Sequence, residues 1–92
     1  MKGTLNELGK RHFHIVERQP FASVDEAFEY AHRHLKMAES FTNKYSIGTE
    51  FANVIHALAD IAYRLKIDLD EEVDFMTDEY LPRLEDLDAE IR

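Results

Sequence analysis

Residues 49–66 read TEFANVIHALADIAYRLK, and this stretch decides the fold class. Phe51, Val54, Ile55, Leu58, Ala62 and Leu65 recur at spacings of three and four, the signature of one apolar helix face. Asn53, His56, Asp60 and Arg64 share the other side at the same spacings. Ala52, Ala57 and Ala59 stand among them, so that side is small as well as polar, as expected where a second element packs. A helix of this kind runs through the middle of a bundle, between a core and a site. His56 and Asp60, four apart, read as a hydrogen-bonded surface pair, with shared metal ligation as the alternative.

The neighbouring segments are helical too. Upstream, Ser23-Val24-Asp25-Glu26 has the capping-box pattern, followed by an apolar stripe of Val24, Ala27, Phe28, Ala31, Leu35 and Ala38 that continues to about Thr42. Residues 43–48 read as a loop and the central helix as Thr49 to Lys66. Nearer the N-terminus, Thr4-Leu5-Asn6-Glu7 is another capping box, with Leu5, Leu8, His12, Ile15 and Val16 behind it and Pro20 as its stop. Downstream, Asp68-Leu69-Asp70-Glu71 caps a fourth helix with Leu69, Val73, Met76 and Tyr80 as its buried positions. Pro82 then kinks that helix or starts a fifth, which carries Leu84, Leu87 and Ile91. With no period-2 alternation, repeat or linker, residues 1–92 read as a single all-α domain, a small antiparallel helical bundle of four to five helices. A chain of 92 residues buries only about 60% of its unfolded surface, so completion of the bundle by dimerisation is expected.

Composition narrows the function classes. The chain has no cysteine and no tryptophan, which excludes a disulfide scaffold, a cysteine zinc site and a thiol nucleophile. Its apolar runs are too short to span a membrane. Met1-Lys2-Gly3-Thr4 lacks the apolar core of a secretory signal, so a cytoplasmic protein is expected. The net charge of −8 is concentrated at one end: residues 1–67 carry nine basic and eight acidic side chains, residues 68–92 two basic and eleven acidic. That end repels phosphate backbones, so direct nucleic-acid binding is not expected. It reads as a solvated face, or alternatively as a surface on which Asp70, Glu71, Glu72 and Asp74 engage a basic protein partner.

The remaining polar groups offer few constellations for chemistry. Glu26 and Glu29 place two carboxylates on adjacent turns, pointing away from the apolar stripe. Asp25, His32 and Glu39 lie nearer its edge. Glu29-Tyr30-Ala31-His32 matches one E-x-x-H unit of the di-iron bundles, which require two such units and two further glutamates; that reading is rejected. His12/His14 and His32/His34 are two residues apart and diverge on a regular helix, so neither pair chelates one ion. No glycine-rich phosphate loop, nucleophile elbow or H-E-x-x-H motif is present.

Glu50-Phe51-Ala52-Asn53-Val54-Ile55 and Lys66-Ile67-Asp68-Leu69-Asp70-Glu71-Glu72-Val73 together resemble the all-α nucleotide pyrophosphohydrolases of the MazG type. In that family an E-x-x-E on one helix and an E-x-x-D on the next bind Mg²⁺, and the ions activate water to split a nucleoside triphosphate into monophosphate and pyrophosphate. Hard Mg²⁺ selects such oxygen ligands. The resemblance implies Glu50 as the catalytic acid and metal ligand. Asn53 stands in place of the family aspartate, and Lys66 in place of the turn glycine. The first motif falls either on Glu26 and Glu29 or on Glu39, with Thr42 in place of its partner. The implied cofactor is Mg²⁺, with Mn²⁺ as substitute, in a homodimer. The expected function is therefore a nucleoside triphosphate pyrophosphohydrolase or an inactive relative. The alternative is an acidic helical module that binds a basic partner.

Overall fold

The computed structural model describes residues 4–15 and 21–91. It is all-helical there: α1 (Leu5–Phe13), α2 (Val24–Ser40), α3 (Lys44–Arg64), α4 (Leu69–Phe75), a π-turn (Met76–Tyr80) and α5 (Leu81–Ile91). No helix among these residues is long and apolar enough to cross a membrane. Val16 and Pro20, the expected end of the first helix, lie outside the described residues; α1 closes at Phe13, with His14 as its cap.

Helix starts follow from side-chain oxygens that accept otherwise unpaired N–H groups. Thr4 Oγ1 accepts from the Glu7 amide at 3.1 Å. Ser23 Oγ accepts from the Glu26 amide at 3.2 Å. Glu26 reaches back to accept from the Ala22 amide at 2.8 Å. Helix α3 begins five residues earlier than the periodicity suggests, because Asn43 Oδ1 accepts from the amides of Tyr45 and Ser46. The expected loop over 43–48 is therefore mostly helix. It lacks a buried stripe, and periodicity alone misses it.

Helices α2 and α3 form an antiparallel hairpin, and α1 lies across α3. The hairpin packs through small residues: Ala27 and Ala31 of α2 meet Ala57 and Ile61 of α3, with Phe21 closing the end. On the α1 side the approach is closer still. A Cβ on Gly9 would stand 2.1 Å from the Ala59 carbonyl oxygen, so only glycine fits there.

This small-residue packing turns α3 away from the expected orientation in part. Ala57, Ala59, Asp60 and Ile61 are buried. Of the expected core, Phe51, Ile55, Leu58 and Leu65 are exposed, Phe51 by 50% and Leu65 by 51%, whereas Ala62 is buried and Val54 packs against the core. Phe28 and Leu35 of α2 are exposed as well. At 100° per residue these six side chains lie on one side of the hairpin. Helix α1 occupies a different side of α3.

The chain leaves α3 through a turn in which Lys66 takes a left-handed backbone, φ 59°. The Ile67 amide donates to the Ala62 carbonyl at 2.8 Å and the Lys66 amide to that of Tyr63 at 3.2 Å, which completes a Schellman cap. Helices α1 and α4 then cap one another. Asp70 accepts from the amides of Leu5 and Asn6, while the Asn6 side chain donates to Asp68 and accepts from the Leu69 amide. The Asp68 carboxyl is held below its usual range, first by Asn6 and then by the Glu71 amide.

From Leu69 to Ile91 the helix continues past Pro82. The Leu81 amide bonds to the Met76 carbonyl five residues back, and this wider turn directly precedes the proline. The resulting C-terminal arm touches the rest of the chain chiefly where α4 meets α1. Val73, Met76, Tyr80, Leu84 and Leu87 are exposed along it, Leu87 by 53%; Val73, Met76 and Tyr80 are therefore not the buried positions that their spacing suggests. The radius of gyration is 15.8 Å, against about 12 Å for a compact chain of this length.

The Schellman turn yields a test. A non-glycine residue in the left-handed region costs roughly 1–2 kcal/mol, partly offset by the larger unfolded-state freedom of glycine. Lys66→Gly should raise stability by about 0.5–1 kcal/mol in urea unfolding. An unchanged or lower midpoint would show that the lysine side chain supplies a compensating contact.

Candidate functional site

Two carboxylates ten residues apart on α3, Glu50 and Asp60, are the only buried charged side chains among the described residues. Each lies where alanines bring a neighbouring helix close, and each is matched by a histidine from that neighbour.

Asp60 is 0% exposed. His12 Nδ1 lies 2.6 Å from its Oδ2, and Arg64 Nε donates to its Oδ1 at 2.6 Å. Arg64 extends further, donating from Nη2 to the Phe21 carbonyl at 2.7 Å and placing its guanidinium 4.9 Å from the Phe13 ring centre. His56 does not pair with Asp60 as a surface couple. It stacks on His12 with ring centres 5.6 Å apart. Burial lowers the His56 pKa below 6.5, and the neighbouring His12 lowers it further. Every acceptor of Asp60 is thus engaged in joining α1, α3 and the segment at Phe21, a structural role.

Glu50 is 7% exposed and faces α2. Its Oε2 is bonded to His34 Nδ1, and its Oε1 accepts from Asn53 Nδ2 at 3.4 Å. An ionised carboxylate only accepts, so His34 donates to it from Nδ1. The Tyr30 ring covers His34 at 4.0 Å between centres, and Arg33 lies over Tyr30 at 5.6 Å. This carboxylate–histidine–amide group is the strongest candidate site in the hairpin.

The sequence-expected ligands separate here. Glu50 and Asn53 come together through their side-chain hydrogen bond. Glu26, Glu29 and Glu39 are exposed, and Glu26 is occupied in capping the Ala22 amide. His34 of α2 is the side chain that faces Glu50 across the hairpin. No group of three or more histidine, aspartate or glutamate side chains suited to a metal converges among the described residues. Mg²⁺ prefers a shell of about six oxygens; a single carboxylate with both oxygens engaged does not fit it. On the arm, Glu71, Glu72 and Asp74 are exposed, whereas Asp70 is committed to the start of α1.

Sequence reasoning missed the roles of His34 and His12. A signal was available: Glu50 and Asp60 each stand among small side chains, Ala57 and Ala59 included, and small residues bring helices close enough to bury an acid. The identity of the partner was not available from spacing, since His12 and Asp60 are 48 positions apart.

Asp60→Asn should destabilise the fold by about 3 kcal/mol, because it leaves the Arg64 guanidinium buried without its counter-charge; chemical denaturation measures this, and a change within error would remove Asp60 from its structural role. For His56, the lowered folded pKa means that the unfolded chain binds more protons as pH falls through 6.5. Its contribution to stability is full above that value and is lost toward the lower folded pKa. Urea midpoints taken from about pH 8 to about pH 5 should fall less steeply in His56→Gln than in the parent. Parallel profiles would contradict the assignment.

No protein-family model matches the chain, and no curated protein or solved structure matches it either.

Proposed function

We propose that this chain is a hydrolytically silent relative of the MazG-like nucleoside triphosphate pyrophosphohydrolases, a cytoplasmic homodimer that acts by binding rather than by turnover. The observation that carries this reading is the engagement of Glu50. Both of its oxygens are taken by His34 and Asn53, at the position where the resemblance calls for a carboxylate cluster holding Mg²⁺ or Mn²⁺. A histidine in that cluster removes one negative charge and offers a donor to the remaining acid. Loss of carboxylates weakens affinity for a hard divalent cation, which depends on ligand charge and number.

Self-association is supported by surface area. The chain exposes 7417 Å², whereas a folded monomer of 10.8 kDa exposes about 5,500 Å². The excess, about 1,900 Å² per chain, exceeds the roughly 800 Å² that each partner buries in a standard interface. Binding of a basic protein is supported by the exposed Glu71, Glu72 and Asp74 on an arm region of net charge −9.

Pyrophosphate release from a panel of ribo- and deoxyribonucleoside triphosphates, with Mg²⁺ or Mn²⁺, tests the silent reading. The folded protein should release no more than buffer does. Turnover that disappears in Glu50→Gln would overturn it and establish an enzyme with Glu50 at its centre.

A further inference from the structure

The hairpin and the arm each carry a bare apolar stripe, and the chain that owns both does not bring them together. We propose that the arm of one copy lies along the α2–α3 face of a second copy, and the reverse, so that two chains exchange arms. This rests on the homodimer proposed above and names which surfaces meet.

The stripes match in length and spacing. On α3, Phe51, Ile55, Leu58 and Leu65 cover four turns at intervals of three, four and seven. On the arm, Val73, Met76, Tyr80, Leu84 and Leu87 cover the same span of fifteen residues at intervals of three and four. Stripes of this period are the surfaces that pair helices side by side. Phe28 and Leu35 widen the hairpin face, which suits it to receive a helix into the groove between α2 and α3.

Charge selects this pairing over the symmetric one. Laying arm on arm would oppose two segments that each carry −9, from eleven acidic and two basic residues over 68–92. The hairpin face is far less acidic. Lys36 and Lys44 are exposed within about a quarter-turn of its stripe, balanced by Asp25 and Glu39 as acidic neighbours. Residues 1–67 as a whole carry +1. Like charges brought together across an interface are strongly disfavoured, so an acidic arm docks on the near-neutral hairpin face rather than on a second acidic arm.

The tether makes exchange accessible. The mutual caps between α1 and α4 fix where the arm begins, and the arm then runs out into a structure 52 Å long. An extended element that finds its place on a second identical chain is a common route to a closed two-fold dimer. Arm exchange also leaves Glu71 and Asp74 off the apolar stripe, on the outside of the assembly, while Glu72 borders the stripe beside Val73 and Met76.

Light scattering and cysteine cross-linking of the full chain test this together. The natural sequence has no cysteine, so Ile55→Cys and Leu84→Cys each introduce one reactive thiol at an exposed site. Circular dichroism checks that each variant is folded. The parent should scatter with twice the 10.8 kDa chain mass. When the two variants are co-expressed and treated with a short bismaleimide, the linked species should join Ile55→Cys to Leu84→Cys across chains. Either variant alone should link much less. A monomeric parent would overturn both the homodimer and the exchange. A dimer in which Leu84→Cys links to itself while the mixed product is missing would overturn the exchange and leave the homodimer standing. A doubly substituted chain that links within a monomer would show the arm folding back on its own hairpin, and would also overturn the exchange.

Discussion

The buried Asp60 carboxylate is the point from which the rest of this structure is built. It receives His12 from α1 and Arg64 from its own helix, and Arg64 carries the connection on to the Phe21 carbonyl and the Phe13 ring. A fully buried carboxylate is tolerated only when its acceptors are filled. That requirement fixes the position of α1 on α3 as firmly as apolar contact does. The same requirement recurs one helix face away, where Glu50 is filled by His34 and Asn53. Among the described residues no buried side-chain nitrogen or oxygen is left without a partner.

Close approach is what allows these acids to be buried at all, and close approach needs small side chains. Gly9 against Ala59, and Ala27 and Ala31 against Ala57, bring the helices together. The consequence appears on the outside. With alanines between the helices, the bulky members of each stripe have no place in the interior of one chain. Phe28, Leu35, Phe51, Ile55 and Leu58 stay at the surface, as do the large side chains of the arm. A chain with so little large apolar volume inside and so much outside has its hydrophobic driving force concentrated in association.

Much of the local architecture was legible in the residues. Thr4, Ser23 and Asp68 mark helix starts and do cap them, because capping depends on a few neighbouring atoms. Lys66 takes the left-handed conformation glycine adopts most easily, where a glycine would have marked the turn. The orientation of α3 was legible only in part. A stripe of large apolar residues normally faces the core, and here only its smaller members, Val54 and Ala62, turn inward, while α1 packs on the small-polar side as its alanines suggest. The 3.6-residue period identifies two sides without saying which one a neighbour covers. The candidate site was half legible. Glu50 and Asn53 are three apart on one helix, so their meeting is a local matter. His34 and His12 come from other helices, and their partners depend on how the helices cross.

The sequence by itself determined that the chain is helical, where most of its helices begin, and that its acidity is confined to one end. Each of these follows from periodicity, capping chemistry or composition, which act over a few residues. The tertiary structure alone decided that Asp60 and Glu50 are interior groups, that histidines answer them, and that the large apolar stripes face outward. Those outcomes depend on the distance between helices, which small residues far apart in sequence set only after the helices meet.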